Sequence, residues 1–178
     1  NRELEVLSAA FNLAMKEERL ARKPRIPHLT ENNARKGFFE PNEHAAILAH
    51  LPAPMDDIAR FAYICGWRKD EIRTLRWENV DREAKEVRLF DSKNGEGRAV
   101  ALHDEGWAIF ERLWVGRQFE TKHGTALSEY VFHVKGRPLN ESVFTRTWAR
   151  ARAKAGDAVK GRIFQDNRRT APRNTLRA

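Results

Sequence analysis

With 178 residues, 41% hydrophobic and 33% charged, the chain has the length for one ordinary domain and the balance of a folded protein. Its best apolar run, IARFAYICGW, is broken by Arg60 and closed by Arg68, which excludes a membrane span, and the opening NRELEVLSAAF lacks a signal-peptide layout. Cys65 is the only cysteine, so an internal disulfide is excluded and a reducing cytoplasm is expected.

The net charge of +8 is unevenly placed: residues 144–178 hold ten Lys and Arg against two Asp, and the other residues hold 23 of each sign. The whole excess sits in the last segment, which ends RIFQDNRRTAPRNTLRA. Charge alone leaves two readings open, a face for a polyanion such as nucleic acid or a solvated basic surface.

In chain order, Leu4, Leu7, Phe11 and Ala14 predict an amphipathic helix over 2–20. RKPRIPHLTENN reads as a linker, and Pro41-Asn42 opens a helix over 43–51. A third helix runs from Asp56 to Cys65 and stops at Gly66, and KDEIRTLRW forms a short fourth with Ile72 and Leu75 inward. EVRLFDSKNGEGRAVAL predicts a hairpin turning at Asn94-Gly95. Residues 104–118 return to helix, EYVFHV reads as a short strand and GRPL as a turn. Asn140 then caps a helix through Ala155 that carries Phe144 and Trp148 on one face. The expected class is α+β, mainly α, with a small antiparallel sheet inserted among helices.

Several chemistries find no support. The six histidines show no metal-ligand spacing, NGEGR precedes no helix that would hold a phosphate, and no Gly-flanked serine elbow occurs. Three basic points on special structures remain: Arg68 after a helix stop, Lys93 at a hairpin tip, and Arg168-Arg169 in FQDNRRT. Singly, each reads as a solvated side chain or as a lysine guarding a sheet edge.

In this order the set resembles the tyrosine recombinases, the phage-type integrases. GWRKDEIRTLRWENVD is similar to their first arginine box, SKNGEGRAVAL to their lysine hairpin, VFHVKGRPLNESVFTRTWARARAKAG to the following strand, turn and helix, and FQDNRRT to their His-x-x-Arg. NRELEVLSAAFNLAMKEERL looks like the last helix of their core-binding domain. The resemblance implies residues 1–22 as that helix, 23–40 as linker and 41–178 as a catalytic domain incomplete at its C-terminus. It implies site-specific recombination: a tyrosine hydroxyl attacks a DNA phosphodiester, forms a 3′-phosphotyrosyl link, and a second 5′-hydroxyl reverses the step, with neither metal nor ATP. Arg68 and Arg168 would clamp the non-bridging oxygens, because planar guanidinium forks donate bidentately. Lys93 would protonate the leaving oxygen and Glu71 would support the arginine site. Arg146, Arg150, Arg152, Lys154, Arg162, Arg169 and Arg173 would lie along double-stranded DNA. The family assembles tetramers on DNA; for this chain a monomer in solution is expected. A bacterial or phage-encoded cytoplasmic protein, nucleoid-associated when bound to DNA, is implied.

The sequence departs from the family in three places. Gln165 stands where the family has histidine, and an amide cannot transfer a proton near neutral pH. Asn167 replaces a leucine. Pro172 falls inside the last helix if Asp166 caps it, or in its first turn if Thr170 does. The family's later motif and its tyrosine are expected beyond Ala178, since Tyr63 and Tyr130 sit in apolar core-like surroundings. That implies a fragment able only to bind DNA; the alternative is a catalytically degenerate DNA-binding module.

Overall fold

The computed structural model describes residues 1–30, 37–89 and 97–176, and these group into two compact units, Asn1–Lys36 and Gly37–Ala178. In the first unit, α1 (Arg2–Lys16) buries none of its residues. It ends earlier than its periodicity predicts because the backbone reverses at Glu18, with φ 57°, where Arg19 N–H donates to the Ala14 carbonyl. The returning segment is tied down by Asn1, whose side chain donates to Leu29 O and accepts from Leu29 N, both at 2.8 Å.

The second unit contains α2 (Pro41–Leu48), α3 (Met55–Cys65), α4 (Lys69–Arg73), α5 (Asp104–Val115), α6 (Glu141–Ala155) and α7 (Asn167–Thr175). Strands β1 (Val80–Asp81), β2 (Glu86–Leu89) and β3 (Arg98–Ala101) form one antiparallel sheet, with Val87 opposite Val100 and Leu89 opposite Arg98. The fold is mainly helical α+β. The Asn94-Gly95 turn and Lys93 lie outside the described residues.

The helix ends follow local chemistry. Gly66 closes α3 in the left-handed region at φ 64°, a conformation costly for residues with a Cβ, and its N–H donates to Ala62 O. Asn140 caps α6, its Oδ1 accepting from Ser142 N at 2.9 Å. Phe61, Phe110 and Phe132 meet at the centre of the core, and Phe39, Phe144, Trp148 and Phe164 extend it beneath α6. No helix among the described residues is long and apolar enough to cross a membrane.

Two predicted elements come out differently. EYVFHV is no strand: Tyr130 makes a single bridge to Arg76, flanked by backbone bonds from Trp77 N to Glu129 O and from Val131 N to Leu75 O. Its partner is extended for only about one residue, wedged between α4 and the 3-10 turn at Trp77–Asn79. Before it lies a hairpin that periodicity does not reveal, β4 (Gln118–Thr121) with β5 (Gly124–Leu127). Of its residues only Phe119 and Ala126 are partly buried, so no alternating apolar signal exists.

The last helix resolves its alternative in favour of the early start. α7 begins at Asn167 with Pro172 inside it, because Thr170 is already committed: its hydroxyl donates to Asp166 O at 2.8 Å and accepts from Phe39 N at 2.9 Å.

Candidate functional site

Arg68 is the N-cap of α4, two residues after the Gly66 stop. Its backbone N–H donates to Glu71 Oε2 at 2.7 Å and its Nη1 to Glu71 Oε1 at 2.8 Å. A carboxylate one turn into a helix is well placed to satisfy the free N-terminal N–H groups, so Glu71 holds both ends of Arg68. Burial alone would raise the Glu71 carboxyl. Hydrogen bonds from the Arg68 side chain and backbone, with the charges of Arg98 and Arg68, outweigh it and keep the group below its ordinary value. Glu71 is therefore a carboxylate at neutral pH and a holder of cations rather than a proton donor.

Arg98 was not singled out by its sequence context, where it reads as one of many charges flanking a hairpin. In the fold its Nη2 donates to Glu71 Oε1 at 2.6 Å, joining β3 to the arginine box. No local pattern reveals this, because the partners lie 27 positions apart.

Arg168 sits in the first turn of α7 with its side chain exposed. The chain packs so closely there that a Cβ on Gly66 would lie 3.3 Å from the Arg168 carbonyl oxygen and 3.5 Å from its Cα. α3 and α7 thus bring the backbone of Arg168 against the residue that leads into Arg68. Gln165 lies exposed in the 3-10 turn before α7 and lines an open depression of about 320 Å³ with Lys69, Arg152, Phe144, Trp148 and Phe164. Lys69 also pairs with Glu141 at 2.5 Å. Lys93 lies outside the described residues.

The seven basic residues expected to lie along DNA sort into two groups. Arg146, Arg150 and Lys154 recur every four residues on the exposed face of α6, opposite Phe144, Trp148 and Ala151, and Arg169 is exposed on α7. The other three face inward. Arg162 makes a bidentate pair with Glu43 at 2.7 and 3.2 Å, and Arg152 Nη1 donates to Arg162 O at 3.0 Å. Arg173 reaches Glu40 at 2.6 Å and lies 3.6 Å from the ring centre of Phe38. Arg162 and Arg173 therefore fasten the 37–43 segment to the α7 region, an assignment charge counting cannot make.

The remaining candidates are placed as follows. Asn167 is buried at the position of the expected leucine; its Nδ2 donates to Phe164 O at 2.9 Å while its Oδ1 has no partner among the described residues. Tyr63 stacks on His44 with ring centres 4.1 Å apart, and Arg76 lies over Tyr130 at 5.2 Å. Burial pushes the Cys65 thiol up to about 12, so this partly buried group is protonated at neutral pH.

The model of the phage integrase family matches residues 37–176. The chain belongs to the phage integrase family. A search of curated protein sequences finds no match. Among solved structures the chain is similar to the Tn1549 transposon integrase in complex with transposon right end DNA, with TM-score 0.74 and 16% identity over 99% of this chain and 66% of that one. It is similar also to a lambda integrase tetramer bound to a Holliday junction, with TM-score 0.73 and 18% identity over 98% of this chain and 51% of that one. A lambda integrase dimer bound to a COC′ core site gives TM-score 0.72 and 18% identity over 96% and 63%. At these identities the likeness establishes an integrase fold, and this chain spans about two thirds or less of each relative.

Proposed function

We propose that this chain is part of a DNA-recombining integrase and that its residues bind and polarise the phosphodiester in a strand exchange proceeding through a 3′-phosphotyrosyl link. One observation carries this: α3 and α7 fold against each other so that segments bearing Arg68 and Arg168, 100 positions apart, meet at Gly66. Negative charge grows on the non-bridging oxygens as phosphorus becomes five-coordinate. Guanidinium groups held in place beforehand stabilise that charge without reorganising during the reaction. Glu71 supplies the holding for Arg68. Arg168 supplies the second clamp from α7, Lys93 the proton for the leaving oxygen, and Gln165 a neutral amide donor to a phosphate oxygen. Arg146, Arg150, Lys154 and Arg169 would lie along the duplex, while Arg152, Arg162 and Arg173 brace the protein.

The test is anisotropy of a labelled DNA duplex with the 178-residue chain. Affinity should fall with salt along a slope near −4 to −5, about −0.9 for each of five exposed cations, Arg168 included. No binding at low salt would refute the proposal. A second interpretation, a DNA-occupying module without catalysis, draws on Gln165 and on Pro172 lying inside α7. In a chain that also carries the family's tyrosine, no strand cleavage with either glutamine or histidine at position 165 would favour that module.

A further inference from the structure

Glu71 accepts hydrogen bonds from two guanidinium groups at once, with Oε1 at 2.8 Å from Arg68 Nη1 and 2.6 Å from Arg98 Nη2. The carboxylate side chain is 14% exposed and those of Arg68 and Arg98 are 37% and 30% exposed, so water screens the cluster only in part. Two cations and one anion sum to +1. With Arg98 absent, Glu71 would neutralise Arg68 in full, and an anion approaching Arg68 would meet an ion pair of no net charge. With Arg98 present the carboxylate is shared, and Arg68 keeps charge to offer.

We infer that Arg98 is a positioning residue: acting through Glu71, it keeps the charge and direction of Arg68 available to a phosphate group. This inference rests on the phosphate-binding function proposed above. The geometry of Arg98 supports it. Its Nε is buried and donates to nothing among the described residues, so the guanidinium is not placed for its own best hydrogen bonding; it is turned toward Glu71. Arg98 also opens β3, opposite Leu89 at the described end of the hairpin, so the same carboxylate ties that hairpin to α4.

Arginine Nε–H resonances of the 178-residue chain, followed by nitrogen-15 NMR during titration with inorganic phosphate, test this. In the unmodified protein the Arg68 and Arg98 signals should move together with one apparent Kd. R98M should weaken phosphate binding at Arg68 by about 5- to 30-fold, the effect of one unit charge at such a distance and partial screening. R98K keeps the charge and should stay within about twofold of the unmodified protein, a rescue that a purely packing role would not give. Movement of Arg68 alone, no response of Arg68 to phosphate, wild-type affinity in R98M, or a loss in R98K as large as in R98M would each overturn the inference. Should R98M fail to fold, the joint shift and the R98K affinity still decide. Because the probe is inorganic phosphate, failure of duplex binding would refute the proposed function without touching this result.

Discussion

Gly66 and Arg168 are in backbone contact: a methyl group on Gly66 would lie 3.3 Å from the Arg168 carbonyl oxygen and 3.0 Å from the Cβ of Ala171. Pro172 leaves that oxygen without its usual helical hydrogen bond, because proline has no N–H to donate to residue 168. Gly66→Ala would add a Cβ both to a left-handed backbone and to this contact. A loss of about 1–3 kcal/mol is expected, measured by urea unfolding, with weaker duplex binding as α7 is pushed from α3. An unchanged midpoint would contradict the packing described.

The two groups of basic residues should separate in experiment. Arg150→Ala and Lys154→Ala should leave stability within about 0.5 kcal/mol while each lowers the salt slope of duplex binding by about one. Arg162→Ala should instead lower stability by about 1–3 kcal/mol, because it leaves the half-buried Glu43 carboxylate without its bidentate partner. The reverse pattern would mean that the inward and outward groups have been exchanged.

Asn167 occupies a buried position with one amide oxygen unpartnered among the described residues. Asn167→Leu removes that oxygen along with one hydrogen bond to Phe164 O and adds apolar contact. A net gain near 1 kcal/mol is expected, read as a raised Tm. A lower Tm would show that the hydrogen bond outweighs the orphaned oxygen.

His44 gives stability a defined pH dependence. Burial lowers its pKa to about 4, against an ordinary value of 6.5, despite the hydrogen bond between Nε2 and Ala59 O at 3.3 Å. The folded state thus prefers the neutral ring, and between pH 6.5 and 4 the unfolded chain binds more protons. Stability should fall with pH through that window by up to about 3 kcal/mol relative to His44→Gln, and the difference should level off below it. Parallel pH profiles for the two proteins would refute the assignment.

Much of the fold was legible because its signals are local. Gly66 ends α3 since few other residues adopt that backbone angle, Asn140 caps α6, and the apolar spacing of Phe144 and Trp148 marks its buried face. The β4–β5 hairpin was not legible, since its strands lie on the surface and alternate nothing. EYVFHV read as a strand because Val131 and Phe132 are β-formers; their burial comes from core packing rather than from a ladder.

The sequence by itself determined the class of fold and the family, because both are carried by local apolar spacing and by motifs in a set order. Only the tertiary structure decided which cations are free to meet an anion. Glu40 reaches Arg173 across 133 positions, Glu43 reaches Arg162 across 119, and Arg98 shares Glu71 with Arg68. In sequence every arginine carries the same charge; its use depends on whether the packed chain sets a carboxylate beside it, and that is a long-range property of the fold.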